Sequence, residues 1–410
     1  MSMHNGEYGC STCEEPGLVV KKGNGHVRSY PYRHAAERVA QRNSEAMKAD
    51  AQLASRNNRI KGLCGVSGLS LLPEFEMALG LVPDYMHGVL LGVTKTLMCL
   101  WFSSSNSGKD FFVGNKLDEI SQRSSGMTPP DTIERLPRNI EKHYAHFKAT
   151  ELQTWLLFYG IPCMHGILPD QYLSHFSLLS EGIFLLLGDN ITQNELQRAS
   201  VLLDKFYQQC DELYGQGVSG LNVHNVGIHL VEFVRLWGAL WCWSCFPFED
   251  ANAAILKAVH GTGDVTKQYI NFKQSEMKLN KMAQEATSSI TDVNTKHFLK
   301  CMCKSGRKWT AVKSMDVCKT AGKLLIMHVE ACTADLFHAT MTREISDLKK
   351  CLRVEHNGQR YYSQEYSRMK KRVCHFVICQ TGEIVSIKFF VVNKCLLLCK
   401  NMKYQMTVSF

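Results

Sequence analysis

The sequence predicts an α+β protein, mainly helical, with a small β-rich module at its C-terminal end. Three observations carry that expectation. Apolar residues recur at helical spacing through the middle of the chain, at Leu196, Ala199, Leu203, Phe206, Cys210 and Leu213. This is the stripe that an amphipathic helix lays on a core. The same run opens with Thr192-x-x-Glu195, a capping box that satisfies two orphan amides of a first turn. Near the end, "CHFVICQTGEIVSIKFFVV" is β-branched and aromatic around a turn, the pattern of a hairpin.

Four stretches follow in order. Residues 1–60 are polar, carry a Cys-x-x-Cys knuckle and predict an exposed helix over 35–56, rich in Ala, Arg, Glu and Lys, with Gly62 beyond its end. Residues 61–290 form the helical core. Within it, 87–102 reads as a buried helix, "SSSNSGKD" as a loop, and 123–131 as a polar linker. The helix that begins at Glu151 is expected to stop at Gly160 and Pro162. "HFSLLSEGIFLLLG" is a further helix, ended by Gly188. The aromatic block that follows holds Trp237, Trp241 and Trp243. Pro247 ends it, and Glu249 opens a new helix. Trp237, Trp241, Trp243, Phe246 and Phe248 are expected in the core with Leu202 and Phe206. Residues 285–300 look polar and unpatterned. Residues 291–354 read as a basic linker with helices, and 355–410 as the β-rich module.

With 410 residues, 45% of them hydrophobic, the chain can build two or three domains. The first ten residues lack an apolar signal segment. The most apolar stretch, 88–102, is interrupted by Thr94, Lys95 and Thr96, too short and polar to cross a bilayer. A soluble intracellular protein without a membrane partner is expected. Most of the 17 cysteines lie singly in apolar runs, as Cys99, Cys163, Cys242 and Cys245 do. That suits reduced, buried thiols better than a disulfide framework. The net charge of +9 permits a polyanionic partner. No phosphate-binding Gly loop, Gly-x-Ser-x-Gly or His-Glu-x-x-His is present, which removes the kinase, serine-hydrolase and zinc-protease classes.

Five groups could carry chemistry. Cys10 and Cys13 have zinc-knuckle spacing. His26 and His34 are the candidate partners, although their spacing fits no standard finger, and two ordinary thiols are the alternative. Asp84 and His87 share a helix face, or Asp84 simply caps the helix that follows. Glu249 and Asp250 sit in a first helical turn, where the dipole favours acids; a metal-binding Glu249 is the functional alternative. His143, His146, His224 and His229 come in two pairs; clustered histidines can bind metal, but beside aromatic residues these read as core histidines. Two basic runs, with Lys304, Arg307 and Lys308 and with Lys370, Lys371 and Arg372, suit a phosphate backbone or a solvated face.

The order of these blocks, "YGCSTC", "VPDYMHGVLLGV", "LPRNIEKHYAHFKATELQTWLLFYG", "HLVEFVRLWGALWCWSCFPFEDANAAILKAVHG" and "YSRMKKR", resembles the transposases of CACTA (En/Spm-type) DNA transposons in their animal form. The resemblance covers about residues 6–392. It implies an RNase H-like core with a helical insertion, a nuclear setting, and strand cleavage by three carboxylates holding two Mg2+ or Mn2+ ions. Glu249 resembles the third carboxylate, and Asp84-Tyr-Met-His87 the family's D-x-x-H signature. Cys10 and Cys13 resemble the cysteines that follow the second catalytic aspartate. Two aspartates expected ahead of them have no counterpart here. The implied reading is a transposase-like protein that does not cut DNA by itself, with DNA or a transposase-related subunit as partner. A nuclease built on Asp84, His87, Glu249 and Asp250, an active transposase of which this sequence is an incomplete gene model, and a structural zinc-containing interaction protein are the alternatives.

Overall fold

The computed structural model describes residues 5–129, 133 and 135–295, and beyond them the segments 311–314, 318–321, 325–326, 349–356, 359–366, 376–378, 384–391, 396–401 and 405–409. The chain divides into two units, 1–126 with 135–257, and 127–134 with 258–410.

The first unit is helical and opens with a hairpin of β1 (Leu18–Lys22) and β2 (Gly25–Ser29) in register Leu18↔Ser29. Helix α1 spans Ser44–Leu53, capped by Asn43, whose side chain accepts from the Ala46 amide. This is shorter than the expected 35–56. Only a single 3-10 turn, Ala35–Glu37, precedes it, because Asn43 takes an extended backbone and starts the helix there. A π-helical segment, Tyr85–Thr94, runs into α2 (Lys95–Phe102), so the buried helix over 87–102 is present. After α3 (Leu117–Gly126) and α4 (Ile140–His143), α5 (Ala149–Thr154) continues through a π turn, Trp155–Tyr159, into α6 (Gly160–Met164). The expected stop at Gly160 and Pro162 does not occur. The Gly160 amide bonds back to the Trp155 carbonyl. This widened turn shifts the bonding register just ahead of the proline ring, which would otherwise crowd the carbonyl four residues back.

Helices α7 (Asp170–Leu186) and α8 (Gln193–Tyr214) pack side by side. The Thr192–Glu195 capping box is formed as expected. Then come α9 (Leu221–His224), a π turn at Asn225–His229, α10 (Leu230–Trp237) and α11 (Phe246–Lys257). The core is aromatic. Trp101, Trp155 and Phe176 are fully buried. Trp101 meets Phe176 edge to face at 5.2 Å, a favoured arrangement of ring quadrupoles, and its Nε1–H donates to Tyr214 Oη at 3.3 Å.

The aromatic block is not core. Trp237 and Trp241 are about half exposed and Phe248 more so, while Trp243 and Phe246 are half-buried. Gly238, at φ +86°, ends α10 and turns the chain. In the 3-10 turn that follows, Leu240–Trp243, only Leu240 is buried. In α8, Phe206 is buried as expected, and Leu203 takes the core position in place of half-buried Leu202. His146 is exposed and His143 half-buried, so that pair is not core either.

The second unit contains α12 (Val265–Ser289), capped by Asp264, which takes in the start of the stretch expected to be unpatterned. Strands β3 (Ala311–Ser314), β4 (Cys318–Ala321), β5 (Leu325–Ile326) and β6 (Lys349–Cys351) lie where a basic linker with helices was expected. The β region therefore begins well before residue 355. Strands β7 (Arg353–His356) and β8 (Gln359–Tyr362) complete a four-stranded sheet, β3-β4-β7-β8. Strands β9 (Phe376–Ile378), β10 (Ile384–Val391), β11 (Leu396–Asn401) and β12 (Gln405–Ser409) join β5 and β6 in a six-stranded sheet. The expected hairpin is β9 against β10, with Ile384 opposite Ile378.

Truncation should separate the two classes of tryptophan. Trp101→Ala or Trp155→Ala should cost about 3–5 kcal/mol, and Trp241→Ala about 0.5 kcal/mol or less. Urea unfolding followed by circular dichroism measures both, and equal losses would contradict the burial described.

Candidate metal centre

Cys10 and Cys13 occupy a tight turn in which the Thr12 amide points at Cys10 Sγ, 3.4 Å away. Arg42 holds that turn from below. Its Nε–H donates to the carbonyls of both Cys10 and Cys13 at 3.0 Å, and its Nη2 to those of Tyr8 and Lys61. Cys13 also pairs with Gln41 as an isolated antiparallel bridge. The backbone around the two thiols is thus fixed by a buried guanidinium that has carbonyls for every contact.

His224 ends α9 and His229 ends the π turn after it. In an α-helix two residues five apart point about 140° away from one another. The i→i+5 bonding of the π turn, seen in the Leu230 amide to Asn225 carbonyl bond, brings both imidazoles to one side. Gly227 lies inside that turn against Tyr207; a Cβ there would stand 2.5 Å from the Tyr207 Cβ.

The two segments meet. Cys10, Cys13, His224 and His229 offer ligand atoms that all lie within 4.8 Å of one another, and all four residues are buried. Cys13 Sγ is 3.3 Å from His224 Nε2, and the two Nε2 atoms are 3.2 Å apart. Zinc in a tetrahedron of two thiolates and two imidazoles would set edges of about 3.3 Å between nitrogens and about 3.6 Å between sulfur and nitrogen. Donor types, count and spacing therefore fit zinc. Tyr207 Oη stands 3.3 Å from His224 Nδ1 and itself donates to the Tyr30 carbonyl at 2.7 Å. Tyr207 is then the acceptor for His224 Nδ1–H, which leaves the Nε2 lone pair facing the cluster, as a ligating imidazole requires. A Cys13 thiol that donates to the Cys10 thiolate holds Cys10 low against the burial that opposes it, and Cys13 is raised in consequence. Burial pushes His229 below its ordinary value, which keeps the neutral, metal-binding form. A cleft of about 170 Å³, walled by Arg33, Arg38 and Tyr207, reaches His224 and His229 and gives an ion a way in.

The expected ligands His26 and His34 are not part of the cluster. Both are exposed. His26 lies on the β1–β2 hairpin, and His34 stands edge-on to Tyr32 at 5.4 Å. The residues that complete the cluster with Cys10 and Cys13 are instead His224 and His229, which the sequence places among core histidines. Buried they are. The signal that joins them to the cysteines is their His-x4-His spacing, a zinc half-site like Cys-x2-Cys.

A second group surrounds Asp84. As the cap of the segment Tyr85–Thr94, its Oδ2 accepts from the His87 amide at 2.8 Å and meets His87 Nδ1 at 2.6 Å. Its Oδ1 accepts from the Cys245 amide at 2.8 Å. Burial would raise this carboxyl, but the amides of Cys245 and His87 and the His87 ring outweigh it and hold the carboxyl below its usual range. His87 Nε2 faces outward, 3.8 Å from Glu249 Oε1 on α11. The sequence-predicted Asp84, His87 and Glu249 thus stand together in one chain of contacts, and the cap reading of Asp84 holds as well. Asp250 is exposed. Lys304, Arg307, Lys308, Lys370, Lys371 and Arg372 lie outside the described residues. Among the described residues, no helix is long and apolar enough to cross a membrane.

Comparison with protein-family models, with curated proteins and with solved structures yields no match.

A carboxyl held low when folded contributes stability that is fully present above its unfolded value of about 4 and lost as pH falls through the folded value. Asp84→Asn should therefore destabilise the protein at neutral pH, and its deficit should shrink as pH drops through the carboxylate range. Thermal unfolding of both proteins between pH 7 and pH 3 tests this; a deficit that does not change with pH would remove the ionised Asp84 from the account.

Proposed function

We propose that this chain is a transposon-derived, CACTA-transposase-like protein whose Cys10, Cys13, His224 and His229 hold a structural zinc ion. It acts by binding DNA, or by assembling with a transposase-related subunit, and it does not cut DNA on its own. The observation that supports the zinc part of this reading is the convergence of a Cys-x2-Cys and a His-x4-His from opposite ends of the helical unit; the transposase part rests on the resemblance of the sequence blocks. A second contact agrees with it. Glu249, the residue that resembles the family's third carboxylate, lies 3.8 Å from His87 of the D-x-x-H. Zinc with four protein donors has no open position and ties the fold together rather than reacting.

Cleavage by two metal ions needs several carboxylates around one point, so that attacking and leaving oxygens are both stabilised. Among the described residues, the groups of three or more His, Cys, Asp or Glu with converging ligand atoms are the Cys2His2 cluster and Asp84 with His87 and Cys245. Neither gathers three carboxylates, and the partner at Glu249 is an imidazole. Mg2+ or Mn2+ chemistry would need carboxylates beyond these. The net charge of +9 favours DNA as the partner.

Elemental analysis should find one equivalent of zinc per chain. It should be lost in Cys10→Ser/Cys13→Ser and in His229→Ala, and kept in His26→Ala/His34→Ala. Zinc that survives the first two changes would sink the assignment. In a nicking assay with magnesium or manganese the chain should leave DNA intact, while binding should weaken at least tenfold between about 50 and about 200 mM salt. Cleavage abolished by Glu249→Gln would overturn the inactive reading, and salt-indifferent binding would remove DNA.

A further inference from the structure

The aromatic block puts more ring surface into solvent than packing explains. Trp237 is 50% exposed and Trp241 52%. Exposed aromatic rings gathered at one place are the usual anchors of a docking contact.

Trp237 and Trp243 line a cleft of about 390 Å³ with Phe75, Glu74 and Glu76. Both indole N–H groups are already used. Trp237 Nε1 donates to the Leu79 carbonyl at 3.1 Å, and Trp243 Nε1 to the Gly238 carbonyl at 3.2 Å. The rings are fixed by these edges and have no donor left to offer a ligand. Phe75 and Glu76 keep their places because residue 80 is glycine; a Cβ there would fall 2.6 Å from the Glu76 carbonyl and 2.9 Å from the Phe75 ring. Glu76 accepts from the Ser44 hydroxyl. Glu74 is exposed, and no described residue forms an ion pair with either acid.

Electron-rich ring faces beside carboxylates without a counter-ion select a cation. Trp gives the strongest attraction of this kind. A metal ion or a bare ammonium would have to shed tightly held water to touch these rings. Methyl groups on a lysine nitrogen keep the charge, replace N–H donors that need solvent, and present carbon to the rings. With two methyl groups one N–H remains, which suits a carboxylate such as Glu74. A lysine side chain is also long enough to enter the cleft from another polypeptide. We propose that the Trp237–Trp243–Phe75 cleft, with Glu74 and Glu76, binds a dimethylated lysine side chain of a basic partner polypeptide.

The test is a titration of the full chain, followed by tryptophan fluorescence and by calorimetry, with a basic peptide carrying one lysine in unmodified, dimethylated or acetylated form. The dimethylated peptide should bind saturably and at least about fivefold more tightly than the unmodified one, and the neutral acetylated peptide should bind weakest. Glu74→Gln and Trp237→Leu should each weaken binding about fivefold or more. Should Trp237→Leu fail to fold, Glu74→Gln still decides, because that side chain holds nothing else in place. No saturable binding of the dimethylated peptide, equal binding of the unmodified or acetylated peptide, or indifference to Glu74→Gln would overturn the proposal.

Discussion

Two imidazole nitrogens stand 3.2 Å apart in a buried site beside two thiols. Lone pairs brought that close in low dielectric repel unless a proton or a metal ion sits among them. The rest of the helical unit is arranged to hold this geometry. Arg42 fixes the cysteine turn, Tyr207 fixes the ring of His224, and the Tyr30 amide docks on the Ser219 carbonyl just ahead of α9. Because the two halves of the cluster come from distant parts of the chain, closing it carries a loop entropy that local helix formation does not. A bound ion would offset that cost directly.

The π turns express the same constraint in the backbone. Such turns are rare, and they gather where function or close packing requires them. Here each has a glycine in it or next to it, pressed on a side chain of another element. A Cβ on Gly92 would meet Asn222 at 2.4 Å, on Gly160 it would meet Phe176 at 2.5 Å, and on Gly227 it would meet Tyr207 at 2.5 Å. The helices widen where a neighbour comes closest. At Gly227 that neighbour is the tyrosine that orients a cluster histidine, so packing and ligand geometry are set by one contact.

What could be read in the sequence was local. The Thr192–Glu195 box and the apolar stripe behind it name their helix without help from the fold, because both signals act within a few residues. Glycine and proline together argue for a stop at Gly160 and Pro162, but a π turn absorbs the proline, and no residue type announces that register shift. Hydrophobicity alone argues for tryptophans in the core. Whether a ring is buried depends on what faces it, and after Gly238 little does. At the cluster, the cysteines were legible as a pair. The histidines were legible only as spacing, since 211 positions separate Cys13 from His224 and no local pattern joins them. The meeting of His87 with Glu249 is equally nonlocal, whereas the Asp84 cap could be read from its place before an apolar run.

The same separation gives the protein a history during its synthesis. Cys10 and Cys13 leave the ribosome long before His224 and His229 exist. At ordinary translation rates of about 5–20 residues per second, the interval is roughly ten to forty seconds. Throughout it the two thiols lack the histidines of the cluster and stand open to metal ions and to oxidants. The helices between can form as they emerge, and Arg42 can close the cysteine turn from within the first segment. The four-residue cluster itself is complete only once α9 and the turn after it have been made.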